Sequence, residues 1–74
     1  MIVTAAGAAE VRIRGQSGIF IATECTVAGG VVTAHGRWRH RTGANYAETT
    51  LGARETLTWP VRRVDRIKWL TPAR

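Results

Sequence analysis

A two-residue alternation over residues 31–41, which ends with Arg at positions 37, 39 and 41, constrains the fold of this chain more than any other feature. Successive side chains of a β-strand point to opposite faces, so this pattern predicts a long strand that is buried on one side. The face expected to be buried carries Val32, Ala34, Gly36 and Trp38. The opposite face carries Val31, Thr33, His35, Arg37, Arg39 and Arg41. A glycine in the middle of the strand predicts a bend where the sheet curls.

Further segments with strand character lie at residues 9–14, 19–27, 55–59 and 65–70. Turn residues separate them: 15–18 predict a turn, and Gly29 and Gly30 accept the positive φ of a tight hairpin. Residues 61–64 suit a single 3₁₀ turn. Residues 42–53 predict either a long loop or a short extra hairpin around 46–51.

The strand at 19–27 is apolar on both faces at its start, which predicts a bent strand that serves two sheet surfaces. By simple alternation, one face carries Ile19, Ile21, Thr23, Cys25 and Val27. The other face carries Phe20, Ala22, Glu24 and Thr26.

A chain of 74 residues allows one domain. Leu occurs three times, whereas Thr occurs 10 times and Val seven times, which favours β-structure. We therefore predict an all-β fold: a single small five-stranded, strongly bent antiparallel β-barrel over residues 9–70, with a 3₁₀ turn before the last strand. Residues 1–8 are expected to be an extended or frayed lead-in, and 71–74 a C-terminal tail. Trp38, Trp59 and Trp69 are expected in the core.

This order of elements resembles the small β-barrels of the Sm-like and Src-homology-3-like type. The resemblance lies in the long bent pair 19–27 and 31–41, and in the segment 59–67, where a 3₁₀ turn separates the last two strands. It covers residues 9–70 in architecture only. The Sm-type RNA-binding signatures are absent, as are the acidic and aromatic residues with which Src-homology-3 domains hold proline-rich peptides. The resemblance therefore implies a fold and no site residue.

Eleven basic residues face five acidic ones, which gives a net charge of +6 and a pI near 11.4. Residues 1–30 are neutral overall, so residues 31–74 carry the whole excess. This asymmetry predicts a cationic face for an anionic partner. The alternative is that abundant Arg and Ala reflect GC-rich coding, with Arg serving solubility.

Two basic clusters and one aromatic residue are candidate binding residues. Guanidinium groups on alternate strand positions lie about 7 Å apart and match phosphate oxygens; the alternative is a solvated face that protects a sheet edge. Tyr46 is a candidate stacking platform for a base or an anchor for a protein partner, unless it folds over the barrel mouth. The first cluster is Arg37, Arg39 and Arg41, and the second is Arg62, Arg63, Arg66 and Lys68.

Catalytic and metal-binding patterns are absent from the sequence. His35, His40 and Cys25 have no metal-ligand spacing, the carboxylates form no pair, and the glycines match no phosphate-binding loop. We expect no enzyme activity, no cofactor and no metal. A single cysteine excludes an internal disulfide, which suits the reducing cytoplasm. No apolar stretch is long enough to span a membrane, and no signal peptide is recognised.

The sequence thus predicts a non-enzymatic binding module that uses an Arg-rich face to hold nucleic acid or another polyanion. One alternative is a protein–protein interaction module that docks an acidic surface, as a small accessory or inhibitory factor would. The composition looks like that of small genes of actinobacteria and their phages. Another alternative is an oligomeric ring that binds a nucleotide. We also expect a homo-oligomer, because pairing of open strand edges adds buried area that a small core lacks.

Overall fold

Six antiparallel strands and two short 3₁₀ turns make up the computed structural model, which describes residues 3–70. The all-β prediction and the 3₁₀ turn before the last strand are confirmed. Residues 1–2 and the tail predicted over 71–74 lie outside the described residues. The strands are β1 (Val3–Ile13), β2 (Ile19–Ala28), β3 (Val31–Thr42), β4 (Glu48–Leu51), β5 (Glu55–Pro60) and β6 (Val64–Trp69), and the turns are Ala44–Tyr46 and Val61–Arg63.

The sheet has the order β4-β3-β2-β1-β6, and β5 also pairs with β3. β5 lies along residues 31–36 of β3 and β4 along residues 39–42, so the two short strands share one edge. The predicted closed barrel of five strands is wrong on both counts. β4 belongs to the short extra hairpin that was one of the two alternatives for residues 42–53, and β6 takes its partners from β1 rather than from β5. The lead-in expected over 1–8 is part of β1 from Val3 onward.

A β-bulge in β2 shifts the side-chain alternation of that strand after Ala22. Ala22 lies opposite Gly36 and Glu24 opposite His35, which leaves Thr23 as an extra residue. One extra residue shifts the alternation by one position. Cys25 and Val27 therefore share the core side with Phe20 and Ala22. The predicted grouping of Cys25 and Val27 with Ile19 and Ile21 is wrong for that reason.

Gly36 allows β3 to pass close to β2 beside this bulge. A Cβ atom at this position would overlap the carbonyl oxygen of Ile21 and lie 2.8 Å from the Cα of Ala22. Only a glycine fits such a close backbone approach. The bend predicted at Gly36 therefore has a steric basis in the neighbouring strand.

The core lies on one side of the bent sheet, with Phe20 as its largest fully buried side chain. The ring of Phe20 meets Trp38 and Trp59 edge to face, at centroid distances of 5.3 and 5.4 Å. Trp38 and the Trp59 partner Val32 are six residues apart along β3, about 20 Å in a straight strand. Both rings reach Phe20 because the sheet curls around it. Trp38, Trp59 and Trp69 pack against the core as predicted but are only partly buried. The buried core consists of Ala9, Val11, Ile13, Phe20, Ala22, Cys25, Val32 and Ala34.

The turn Val61–Arg63 links the two ends of the bent sheet. The amide of Val61 donates to the carbonyl oxygen of Gly30 at the β2–β3 hairpin, at 2.9 Å. The amide of Arg14, after β1, donates to the carbonyl oxygen of Arg63, also at 2.9 Å. The three-residue turn is thus bonded to the β2–β3 hairpin and to the segment after β1, although the sheet stays open.

Candidate functional site

The sheet surface opposite the core, called the outer face below, carries two rows of side chains set by strand register. Residues directly opposite each other on neighbouring antiparallel strands point to the same face. The rows cross β3, β2, β1 and β6, and they bring Arg37 and Arg39 onto the same face as Arg66 and Lys68. In that strand order the first row is Arg39, Ile19, Arg12 and Arg66, and the second is Arg37, Ile21, Glu10 and Lys68.

A groove of about 440 Å³ opens where the first row meets the loop after β3. A smaller hollow of about 180 Å³ adjoins it and shares Arg12 and Ile19 with it. The two hollows form one concave surface that runs from Tyr46 to Lys68. The larger, called the basic groove below, is lined by Arg12, Ser17, Ile19, Arg39, His40, Arg41 and Tyr46. The smaller is lined by Glu10, Arg12, Ile19, Arg66 and Lys68.

Two ion pairs neutralise part of the positive charge in and near the concave surface within residues 3–70. Nη2 of Arg39 lies 3.7 Å from Oε1 of Glu10, across the outer face. Nε of Arg14 lies 3.3 Å from Oδ1 of Asp65, at the sheet end. Within that range no carboxylate pairs with the remaining cations of the concave surface, which are Arg12, Arg41, Arg66 and Lys68. The surface is therefore positive overall despite Glu10.

Arg12 and Arg66 form a like-charge pair directly across β1 and β6. Both side chains are exposed, and like charges in directly opposed positions destabilise a sheet. An anion bound between them would remove this repulsion. The register therefore places two arginines without a carboxylate partner within residues 3–70 side by side on the outer face.

Tyr46 lies at one end of the basic groove with 71% of its surface exposed. It ends the turn Ala44–Tyr46, in which Asn45 and Tyr46 both have left-handed backbones, with φ of 58° and 56°. Non-glycine residues adopt this conformation rarely and at a cost in free energy. The turn is closed by the Tyr46 amide, which donates to the Gly43 carbonyl oxygen at 3.2 Å. The alternative of a ring folded over a barrel mouth does not fit this exposure.

The candidate residues from the sequence thus fall into three groups. Arg39, Arg41 and Tyr46 line the basic groove, and Arg66 and Lys68 line the adjoining hollow. Arg37 lies one row away on the outer face. Arg62 and Arg63 are exposed on the turn before β6 and line neither hollow.

Sequence reasoning missed Arg12, the residue that both hollows share. Its alternation with Val11 and Ile13 did indicate an outward position. Its place beside Arg66 depends on the pairing of β1 with β6, which are more than 50 residues apart along the chain. No local pattern reports such a pairing. Ser17, Ile19 and His40 also line the basic groove and were not among the predicted site residues.

The described residues offer little for covalent or metal chemistry. Within residues 3–70, no three His, Cys, Asp or Glu side chains are grouped closely enough to hold a metal ion. Burial raises the pKa of the Cys25 thiol, which disfavours the thiolate. In the same range, no helix has the length and apolar character needed to cross a membrane.

The chain was compared with models of known protein families, with curated proteins and with solved structures, and it matches none of them.

Proposed function

We propose that the protein is a small binding module that holds nucleic acid on its outer face, through contacts between arginines and phosphates. The observation that carries the proposal is the Arg12–Arg66 pair, two arginines at directly opposed strand positions that no carboxylate neutralises within residues 3–70. Guanidinium groups present planar donor pairs that match phosphate oxygens. A bound phosphate would turn a repulsive pair into two charge-assisted hydrogen bonds.

The dimensions of the concave surface support a polyanion rather than a single small anion. From Arg39 to Arg66 the first row spans three strand spacings, which is about 14 Å. Duplex DNA carries one charge per ~1.7 Å of its axis, so this length faces several phosphates. Arg41 extends the positive surface at the end next to Tyr46.

An acidic protein surface is the alternative partner, and a free nucleotide bound by an oligomeric ring is another. An exposed tyrosine beside arginines is also typical of protein interfaces. Direct titration distinguishes the three. We expect binding to mixed-sequence oligonucleotides that strengthens with oligonucleotide length, whereas a nucleotide site would be saturated by a mononucleotide.

The proposal is tested by fluorescence anisotropy with a labelled oligonucleotide and two matched double variants. Arg12→Ser with Arg66→Ser removes two charges from the concave surface. Arg62→Ser with Arg63→Ser removes the same two charges from the turn outside it. We expect the first variant to lose about tenfold or more in affinity and the second to lose less. Equal losses, or no binding by the wild-type chain, would contradict the proposal.

Self-association stays a prediction. The open sheet leaves β5 and β6 without a second strand partner in the described chain, and open edges favour pairing between subunits. Sedimentation at micromolar concentrations tests this, and a monomer mass throughout that range would exclude it.

A further inference from the structure

We infer that the basic groove selects single-stranded nucleic acid, with one unpaired base stacked on Tyr46 and the neighbouring phosphates bound by Arg12 and Arg41. This inference rests on the proposed function and narrows it to one class of ligand. It gives a role in binding to the ring of Tyr46, since phosphate binding alone does not require an aromatic ring.

The exposure of Tyr46 is the first observation behind this inference. At 71% it is more exposed than the other large apolar side chains at the surface of residues 5–70, which range from 38% to 51%. A base stacks on an aromatic ring only when one of its own faces is free. Bases inside a duplex are covered on both faces by their neighbours, so an exposed ring gains this interaction only with an unpaired base.

The backbone of the turn is the second observation. Two consecutive non-glycine residues, Asn45 and Tyr46, have left-handed φ angles. Such conformations cost free energy and are concentrated at ligand sites. Here the unfavourable backbone presents the ring at the end of the groove, held by hydrogen bonds from Tyr46 to Gly43 and from Ala47 to Ala44, at 3.2 and 3.3 Å.

The residues around Tyr46 form a site whose size and positive charge suit a nucleotide unit of a nucleic-acid strand. The groove volume of about 440 Å³ lies within the range of small-ligand sites, about 300–1,000 Å³. Arg39 is held by Glu10, so the guanidinium groups left for phosphates in this groove are those of Arg12 and Arg41. A positive groove with an aromatic platform is the combination found in proteins that bind single strands. Stacking tolerates any base, so we expect little sequence preference.

Affinities for three ligands of equal length distinguish base stacking from charge attraction. The ligands are a single strand, a duplex and an abasic single strand that keeps its phosphates. We expect the wild-type chain to bind the single strand more tightly than the abasic strand at the same salt concentration. Tyr46→Ala should weaken binding to the single strand by about 5- to 150-fold, the range for loss of one stacked base. It should leave binding to the abasic strand unchanged.

Two control variants assign the effect to the ring of Tyr46. Tyr46→Phe keeps an aromatic ring and should retain the affinity for the single strand. Leu70→Ala removes another exposed apolar side chain, 50% exposed and outside the groove, and should change nothing. Circular dichroism establishes that each variant is folded.

The outcomes distinguish this inference from the proposed function beneath it. If the wild-type chain binds all three ligands equally and Tyr46→Ala has no effect, the stacking inference fails while phosphate binding stands. A loss in Tyr46→Phe equal to that in Tyr46→Ala would assign the interaction to the hydroxyl and also overturn it. If none of the three ligands binds, both the inference and the proposed function fail.

Discussion

Arg12 on β1 and Arg66 on β6 lie directly opposite each other, and neither has a carboxylate partner within residues 3–70. One row away on the same two strands, Glu10 lies opposite Lys68, an opposite-charge pair. The same strand pairing thus places opposite charges at one pair of opposed positions and like charges at the other. Arg12 lines both hollows of the outer face and Arg66 lines the smaller one, and the proposed function has a phosphate bind at this pair.

Replacing Arg66 by Glu should stabilise the fold and weaken binding. The substitution changes a repulsive cross-strand pair into an attractive one, which contributes about 0.2–1 kcal/mol. Urea denaturation at low salt should show the gain, and the affinity for an oligonucleotide should fall. Arg62→Glu, with the same change in charge on the turn before β6, should give neither effect to the same degree. A destabilised Arg66→Glu variant would show that Arg66 has a structural role instead.

Gly36→Ala should severely destabilise the fold. The added methyl group overlaps the Ile21 carbonyl oxygen, and backbone atoms cannot move aside as a flexible side chain can. We expect a loss of about 3 kcal/mol, the upper end for overpacking. Gly52→Ala is the matched control, because the nearest atoms to its Cβ belong to Trp38 at 3.8 Å. Thermal melts of both variants test this, and equal melting temperatures would show that β3 does not pass so close to β2.

Trp38→Ala should destabilise the fold and affect binding only through His40, the basic-groove residue on which its ring stacks at a centroid distance of 6.2 Å. The ring packs on Phe20 at 5.3 Å and on Trp59 at 6.2 Å, on the side of the sheet opposite the arginines. Loss of a large core aromatic costs about 3–5 kcal/mol, and the partial burial of Trp38 places it near the lower end. Chemical denaturation measures the loss. A variant that stays as stable as the wild type but loses binding would make Trp38 a binding residue.

Much of this fold follows from local patterns in the sequence. The alternation in β3 correctly placed Val32, Ala34 and Trp38 on the core side, because no bulge interrupts β3 itself. The Gly29–Gly30 hairpin was predictable because glycine accepts a positive φ angle, and the two residues have φ angles of 58° and 75° in the structure. In β2 the same reasoning failed after Ala22, since the extra residue Thr23 leaves no mark in composition or period.

The candidate site was less predictable because it depends on pairings between distant strands. The sequence indicated two basic clusters and Tyr46, but their arrangement depends on where β6 pairs. Pairing with β1 brings Arg66 and Lys68 to Arg12, and leaves Arg62 and Arg63 on the connecting turn. The sheet is open because β6, paired with β1 along one edge, does not pair with β5 along the other.

Cys25 should react slowly with thiol reagents in the folded protein. Its side chain is buried, and burial raises the thiol pKa above the ordinary 9.0. The reaction with a disulfide reagent at pH 8 should be slow in buffer and fast in urea. The pKa of the Cys25 thiol is higher in the folded protein than in the unfolded chain. The contribution of this thiol to the free energy of unfolding is therefore present below pH 9.0 and is lost as the pH rises further. Equally fast reactions in buffer and in urea would contradict the burial of Cys25.

The salt dependence of oligonucleotide binding tests the central claim most directly. The wild-type chain is compared with the triple variant Arg12→Ser, Arg41→Ser and Arg66→Ser. In the wild type, these three arginines have no carboxylate partner within residues 3–70. A plot of the logarithm of the binding constant against the logarithm of the salt concentration should be linear for the wild type, and its slope reports the number of phosphates neutralised. It should be shallower in the variant by about 0.7 for each single-strand phosphate that is no longer neutralised, or about 2 for three phosphates. An unchanged slope in a folded triple variant would show that the outer face does not bind phosphates.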